Sequence, residues 1–148
     1  MHPPIVTLHP AALREFDYIY GLCELTMRGF VETDLGDCFE KIARPTIIAL
    51  LAKSLFSTVH ADGERVGAVA FEQNETHFQL EELYVKPDWQ NRGIGGAVMK
   101  IVIAQAITQE KPVRLHVLAS NPAKVFYEKI GFSITSTTKE VNFMERAF

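Results

Sequence analysis

The chain has 148 residues, of which 47% are hydrophobic and 22% charged, with a net charge of −3; that suits a soluble globular protein with one hydrophobic core, and a single domain is expected over residues 1–148. No run of basic residues offers a nucleic-acid footprint, and no apolar stretch reaches membrane-spanning length, the richest being Ile47 to Leu51. Cys23 and Cys38 have no metal-ligand spacing and make no disulfide framework; they read as small buried or half-buried hydrophobes, and no metal is expected.

The start, Met1-His2-Pro3-Pro4, lacks the basic onset and apolar run of a signal peptide, so a cytoplasmic location is expected. Ile5 to Leu8 reads as a short strand. Pro10 stands at a helix start, and Leu13, Phe16, Tyr20 and Met27 supply an apolar stripe for a helix to about Arg28. A second helical region runs from about Asp37 to Lys53, with Pro45 expected to break or kink it. Leu55 to Ala61 is a strand, Asp62-Gly63 a tight hairpin signal, and Arg65 to Phe71 the returning strand. After the turn at Asn74-Glu75 a further strand runs from about Thr76 to Val85.

A helix with apolar residues on most sides follows Gly93, carrying Ile94, Val98, Ile101 and Val102, and Pro112 closes that region. Val113 to Leu118 is a strand. Asn121 is an N-cap with Pro122 at the first helical position, and Gly131 ends this short helix. Strands at about Phe132 to Thr138 and Val141 to Glu145 complete the order β-α-α-β-β-β-α-β-α-β-β, an α/β sandwich on a mixed sheet with helices on both faces.

The junction after Val85 is the most informative stretch. It runs through Gln90-Asn91-Arg92-Gly93-Ile94-Gly95-Gly96 into a helix. Glycines let the backbone turn tightly and a ligand approach without a Cβ in the way. A helix start presents unpaired N–H groups and the positive end of its dipole, an anion site suited to phosphate, and Arg92 adds a charged fork. The dinucleotide fingerprint fails at Val98, where its third Gly or Ala should stand, and a P-loop fails for want of Gly-Lys-Ser/Thr.

The stretch from Gln90 to Gly95 resembles instead the Gln/Arg-x-x-Gly-x-Gly/Ala signature of the GNAT N-acetyltransferase superfamily. A second signature of that family is matched by Asn121-Pro122-Ala123-Lys124-Val125-Phe126-Tyr127 and the closing Gly131-Phe132, and the order of elements is similar from end to end. The resemblance implies acetyl-CoA as cosubstrate. Its pyrophosphate would lie on Gln90, Asn91, Arg92, Gly93, Ile94, Gly95 and Gly96, and its pantetheine arm at Asn121. The resemblance further implies a backbone oxyanion donor within Leu83-Tyr84-Val85, and Tyr127 as the acid that protonates the departing thiolate. Read from periodicity alone, Ala123, Phe126, Tyr127 and Ile130 fall on one helical stripe, so Tyr127 is equally a core residue there.

Attack by an amine on a thioester requires a base, because an alkylammonium has a pKa of about 10. Glu81, on the face of Leu83 and Val85 in an unbulged strand, and His116, on the strand that leads to Asn121, are ranked together for that part. Glu82 shares the face of Tyr84 and reads with Glu81 as a solvated pair as readily. The expected function is transfer of acetyl to a primary amine, small or peptide-borne, by direct attack in a ternary complex. The alternatives are a non-catalytic acyl-CoA-binding module of the same fold, or a nucleotide-binding protein of another fold. Phe30, Glu32, Asp34 and Asp37 offer either an acidic mouth for the amine or an ordinary solvated loop. Neither nucleic acid nor membrane is expected as a partner, and a homodimer is compatible with the sequence.

Overall fold

The computed structural model describes residues 2–148. Its elements are β1 (Val6–Pro10), α1 (Phe16–Leu35), α2 (Phe39–Ala52), β2 (Phe56–Ala61), β3 (Glu64–Gln73), β4 (Phe78–Val85), α3 (Ile94–Thr108), β5 (Val113–Leu118), α4 (Ala123–Lys129), β6 (Ser133–Thr137) and β7 (Val141–Arg146). This is the order read from the sequence. Short 3₁₀ turns at Leu13–Glu15 and Pro87–Trp89 precede α1 and follow β4.

The seven strands form one sheet in the order β1-β2-β3-β4-β5-β7-β6. All neighbours are antiparallel except β4 and β5, which run parallel and are paired only at Phe78–Val113 and Gln79–Arg114. Beyond those two rungs the strands part. Apolar residues cover both faces of the sheet. Ile94, Val98 and Val102 of α3 and Tyr127 of α4 pack with Val59, Val69 and Leu115 on one side. Ile19 and Leu22 of α1 and Phe39 and Ile47 of α2 pack with Phe56, Ala68 and Tyr84 on the other. Among the described residues no helix is long and apolar enough to cross a membrane.

Three local expectations are corrected. Pro10 ends β1 and does not open a helix; α1 starts six residues later and runs two turns past Arg28. Arg28 itself extends it, pairing one turn back with Glu24 and one turn on with Glu32, and Gly36 stops it in the left-handed conformation at φ 65°. Helix α2 passes through Pro45 unbroken. The missing N–H would have met the carbonyl of Lys41, and both residues are exposed, so water can take its place. Cys23 is buried as expected, whereas Cys38 is exposed, its thiol donating to Glu40 Oε2 at 2.7 Å.

Two features shape β4 where it leaves β5. A bulge interrupts its pairing with β3, Ala70 facing Glu82 and Phe71 facing Leu80, so Glu81 is the extra residue. Further along, Gly67 of β3 lies so close that a Cβ there would overlap the Tyr84 carbonyl. Only glycine permits that approach.

Candidate active site

The turn between β4 and α3 is built from its backbone. Asn91 and Gly93 take left-handed conformations, φ 61° and 80°, and Gly93 caps α3 without a side-chain bond. Ala97 N–H is the first to close on a helical carbonyl, that of Gly93 at 3.0 Å. The amides before it have no partner within the helix, and no acidic side chain occupies the first turn to compete for them. A Cβ added at Gly93 or Gly96 would meet nothing within 4 Å, and one at Gly95 would touch only the Phe126 ring at 3.5 Å. The turn is therefore an open cradle of N–H groups, of the kind that can receive an anion. Arg92 lies exposed over the Trp89 ring, 4.8 Å from its centre. The Gln90 side chain is already engaged, donating to the Val85 carbonyl at 3.0 Å, so it braces the turn against β4.

Where β4 and β5 part, a cavity of about 220 Å³ opens between them. Leu80 to Tyr84 line it from β4, and His116, Val117 and Leu118 from β5. Asn121, Ala123 and Tyr127 close it on the α4 side, while α1 and α2 form the opposite wall. The Asn121 Oδ1 accepts from Ala123 N–H at 2.9 Å, which makes it a capping residue of α4 with its own side chain half-buried at the cavity. Asp34, near the end of α1, accepts from both the amide and the hydroxyl of Ser120 at 2.8 and 2.7 Å. That clasp fastens the α1 wall to the loop that carries Asn121.

Tyr127 is buried, with its ring edge-on to Phe126 and Phe132 at centroid distances of 5.0 and 5.7 Å. Burial, and then the negative charge of Glu82, raise its pKa above the ordinary tyrosine value. The hydroxyl is thus held protonated across the neutral range, the state an acid needs. Its packing makes it core and cavity wall at once.

The bulge rearranges the carboxylates. Glu81 leaves the regular alternation and does not simply share the face of Leu83 and Val85; those two side chains pack toward α3. Glu82 turns with Tyr84 toward α1, and the Tyr84 hydroxyl lies against Glu82 and Cys23. Burial pushes the Glu82 carboxyl up to about 7; the Tyr84 hydroxyl opposes the shift and the Glu81 charge adds to it. Burial pushes the Cys23 thiol up to about 12, so it is an inert wall atom near neutrality. Reading the sequence ranked Glu81 and His116 above Glu82. Its one signal was the Glu82-x-Tyr84 alternation, which ties the carboxylate to a large ring that must be buried. His116 does line the cavity, on an exposed position of β5 with its ring 6.2 Å from that of Phe143.

The acidic side chains around the α1–α2 connection are engaged within the protein. Glu24, Glu32 and Glu40 all bind Arg28, Asp34 holds Ser120, and Asp37 Oδ1 accepts from the Cys38 amide at 2.7 Å.

Comparison with known proteins agrees with this architecture. The profile of the acetyltransferase (GNAT) domain family matches residues 30–145. A PaiA N-acetyltransferase from Thermoplasma acidophilum, solved in complex with coenzyme A, superposes with a TM-score of 0.76 at 17% identity, covering 97% of this chain and 99% of that one. An acetyltransferase from Thermus thermophilus gives 0.77 at 19% identity over the whole of both chains. Naa50 of Arabidopsis thaliana, bound to the bisubstrate analogue CoA-Ac-MVNAL, gives 0.70 at 19% identity, covering 97% and 99%. A segment is also 29% identical over 84 residues to the UPF0157 protein YqkA of Bacillus subtilis; the match takes 57% of this chain and about a quarter, 24%, of that protein.

Proposed function

This chain belongs to the acetyltransferase (GNAT) domain family, and we propose that it transfers acetyl from acetyl-CoA to a primary amine by direct attack in a ternary complex. The observation that carries this reading is one cavity with two unlike walls: Glu82 reaches it from β4 on the α1 side, and Tyr127 reaches it from α4 beside the open N–H cradle. Acetyl-CoA would supply the activated thioester, with coenzyme A as the leaving thiol.

The residues of the chain divide the remaining work. The backbone amides from Arg92 to Gly96 hold the pyrophosphate, and Asn121 with Ala123 borders the pantetheine arm. On the side facing β5, the amides of β4 beyond Gln79 have no strand partner, and one within Leu83-Tyr84-Val85 is free to donate to an oxyanion. Glu82, with its carboxyl near neutrality, accepts a proton from the acceptor ammonium, which leaves a neutral amine to attack. Tyr127 gives its proton to the departing sulfur. The attacking nitrogen loses its second proton as the adduct collapses, and cavity water passes that proton to Tyr127. Glu82 releases the first to solvent, so one proton is freed per turnover and both residues are reset. Glu81 and His116 border the same space and offer a second, water-mediated route for the first proton.

The pH dependence of the rate tests the assignment. A base with its carboxyl near 7 must be ionised to act, so kcat/KM should rise with pH through about 7 and level off above it. Glu82→Gln should abolish that rising limb, while Glu81→Gln and His116→Gln should each keep it. A limb that survives in Glu82→Gln and disappears in either of the others would move the base to that residue.

A further inference from the structure

The wall facing Glu82 has a definite chemistry. On α1, Cys23, Met27, Val31 and Leu35 recur at every fourth position and all line the cavity; on α2, Ile42 and Ile47 join them. None of these carries a charge near neutrality, the Cys23 thiol being pushed up to about 12. Of the acidic side chains of the same helices, Glu24, Glu32 and Glu40 are tied to Arg28 and Asp34 to Ser120, and none lines the cavity. The carboxylates that do reach the cavity, Glu81 and Glu82, are adjacent on β4 and therefore sit at one end. Among the described lining residues there is no lysine or arginine, and His116 is the one group able to become a cation.

Resting on the acetyl-transfer reading, we infer that the acceptor is a small apolar monoamine: a primary amine whose only charge is its ammonium, with an aliphatic or arylalkyl tail. The ammonium meets Glu82 while the tail displaces water from Met27, Leu35 and Ile42, the lining apolar side chains of these helices that keep accessible surface. A second ammonium at the far end of a diamine would leave water among those side chains without a partner, and the lost hydration is not repaid. An amino-acid carboxylate would face Glu81 and Glu82 with no arginine or lysine to receive it. The volume, about 220 Å³, also lies below the range of roughly 300–1,000 Å³ usual for drug-sized ligands, which favours a short tail over a peptide.

Hexylamine and 1,6-diaminohexane share one carbon chain and differ by the second ammonium, so the pair isolates the claim. Two readouts are used: kcat/KM for acetylation, and the melting temperature of the coenzyme A-loaded protein with each amine. Hexylamine should be favoured by about ten-fold or more in kcat/KM, and it alone should raise the melting temperature. Thr46 lines the cavity yet is exposed, so Thr46→Asp is tolerated by the fold and should shrink the disadvantage of the diamine. A diamine that equals or surpasses hexylamine in both readouts overturns the inference while acetyl transfer stands. So does a failure of hexylamine to bind or react, or an unchanged ratio in folded Thr46→Asp. If coenzyme A itself leaves the melting temperature unmoved, the acetyl-transfer reading falls and this inference falls with it.

Discussion

The two ends of the candidate site, the β4–α3 turn and the α1–α2 wall of the cavity, are built on opposite principles. At the β4–α3 turn, the groups that would hold a ligand are backbone amides, supplied by a handful of consecutive residues whose side chains are mostly absent. At the α1–α2 wall, the groups are side chains from positions up to two dozen residues apart, aligned only because two helices lie against one sheet face. On the proposed reading, the first design would recognise an anionic tail on the cosubstrate, whatever the acceptor. The second can change residue by residue without disturbing the first. A substitution at one end should therefore move cofactor affinity alone, and one at the other should move only acceptor use.

Tyr127 stands where the two ends meet, and Tyr127→Phe is the most severe test of their separation. The variant keeps the ring and its contacts with Phe126 and Phe132 but loses the hydroxyl. Turnover should fall by about 10²–10⁴-fold, the usual contribution of a positioned acid, while calorimetry gives a nearly unchanged affinity for coenzyme A. Wild-type turnover would make Tyr127 a core residue only.

Next in size is the cradle. Gly96→Val puts a branched side chain into space that no protein atom occupies within 4 Å. Valine is a better helix former than glycine, so the fold should persist by circular dichroism. Affinity for coenzyme A should drop by about 100-fold, two decades at 1.4 kcal/mol each, with no change in the ranking of acceptors. Gly95→Val is the less clean probe, because its side chain also presses on Phe126. If Gly96→Val binds as tightly as wild type, the ligand does not lie along that part of the turn.

The smallest effect belongs to the clasp that joins the two ends. Asp34→Ala removes both hydrogen bonds to Ser120. The cost should be about 1 kcal/mol, a melting temperature lower by about 2–4 °C. The KM for acetyl-CoA and for the acceptor should both rise a few-fold, since the clasp fixes the Asn121 loop on one side and α1 on the other. A change confined to one substrate would show that the ends are less coupled than the geometry implies.

Most of the fold was legible because its signals are local. Alternation marked the strands, and Asp62-Gly63 marked the hairpin, where φ is 51° and 84°. Asn121 and Gly131 bounded α4, with Gly131 at φ 103°. The glycine-rich turn was legible for the same reason: its function resides in consecutive backbone atoms. Errors arose where a distant or side-chain partner decided the outcome. Arg28 carried α1 onward through bonds to Glu24 and Glu32, and solvent exposure let α2 run through Pro45.

The candidate site divides along the same line. Sequence by itself determined the cradle, the placing of Tyr127 on a short capped helix, and the two carboxylates of β4. Glu82 keeps the face of Tyr84, whereas Glu81 is taken out of the alternation by a bulge, a pairing event between β3 and β4 that leaves no mark in either strand's composition. The Glu82 carboxyl is pushed up to about 7 by burial under elements far along the chain. Of the α1 side chains that line the cavity, the apolar stripe read from the sequence held only Met27, and periodicity reports which face is covered, not how tightly. Only the parting of β4 from β5 after Gln79 turned part of that covered face into a cavity.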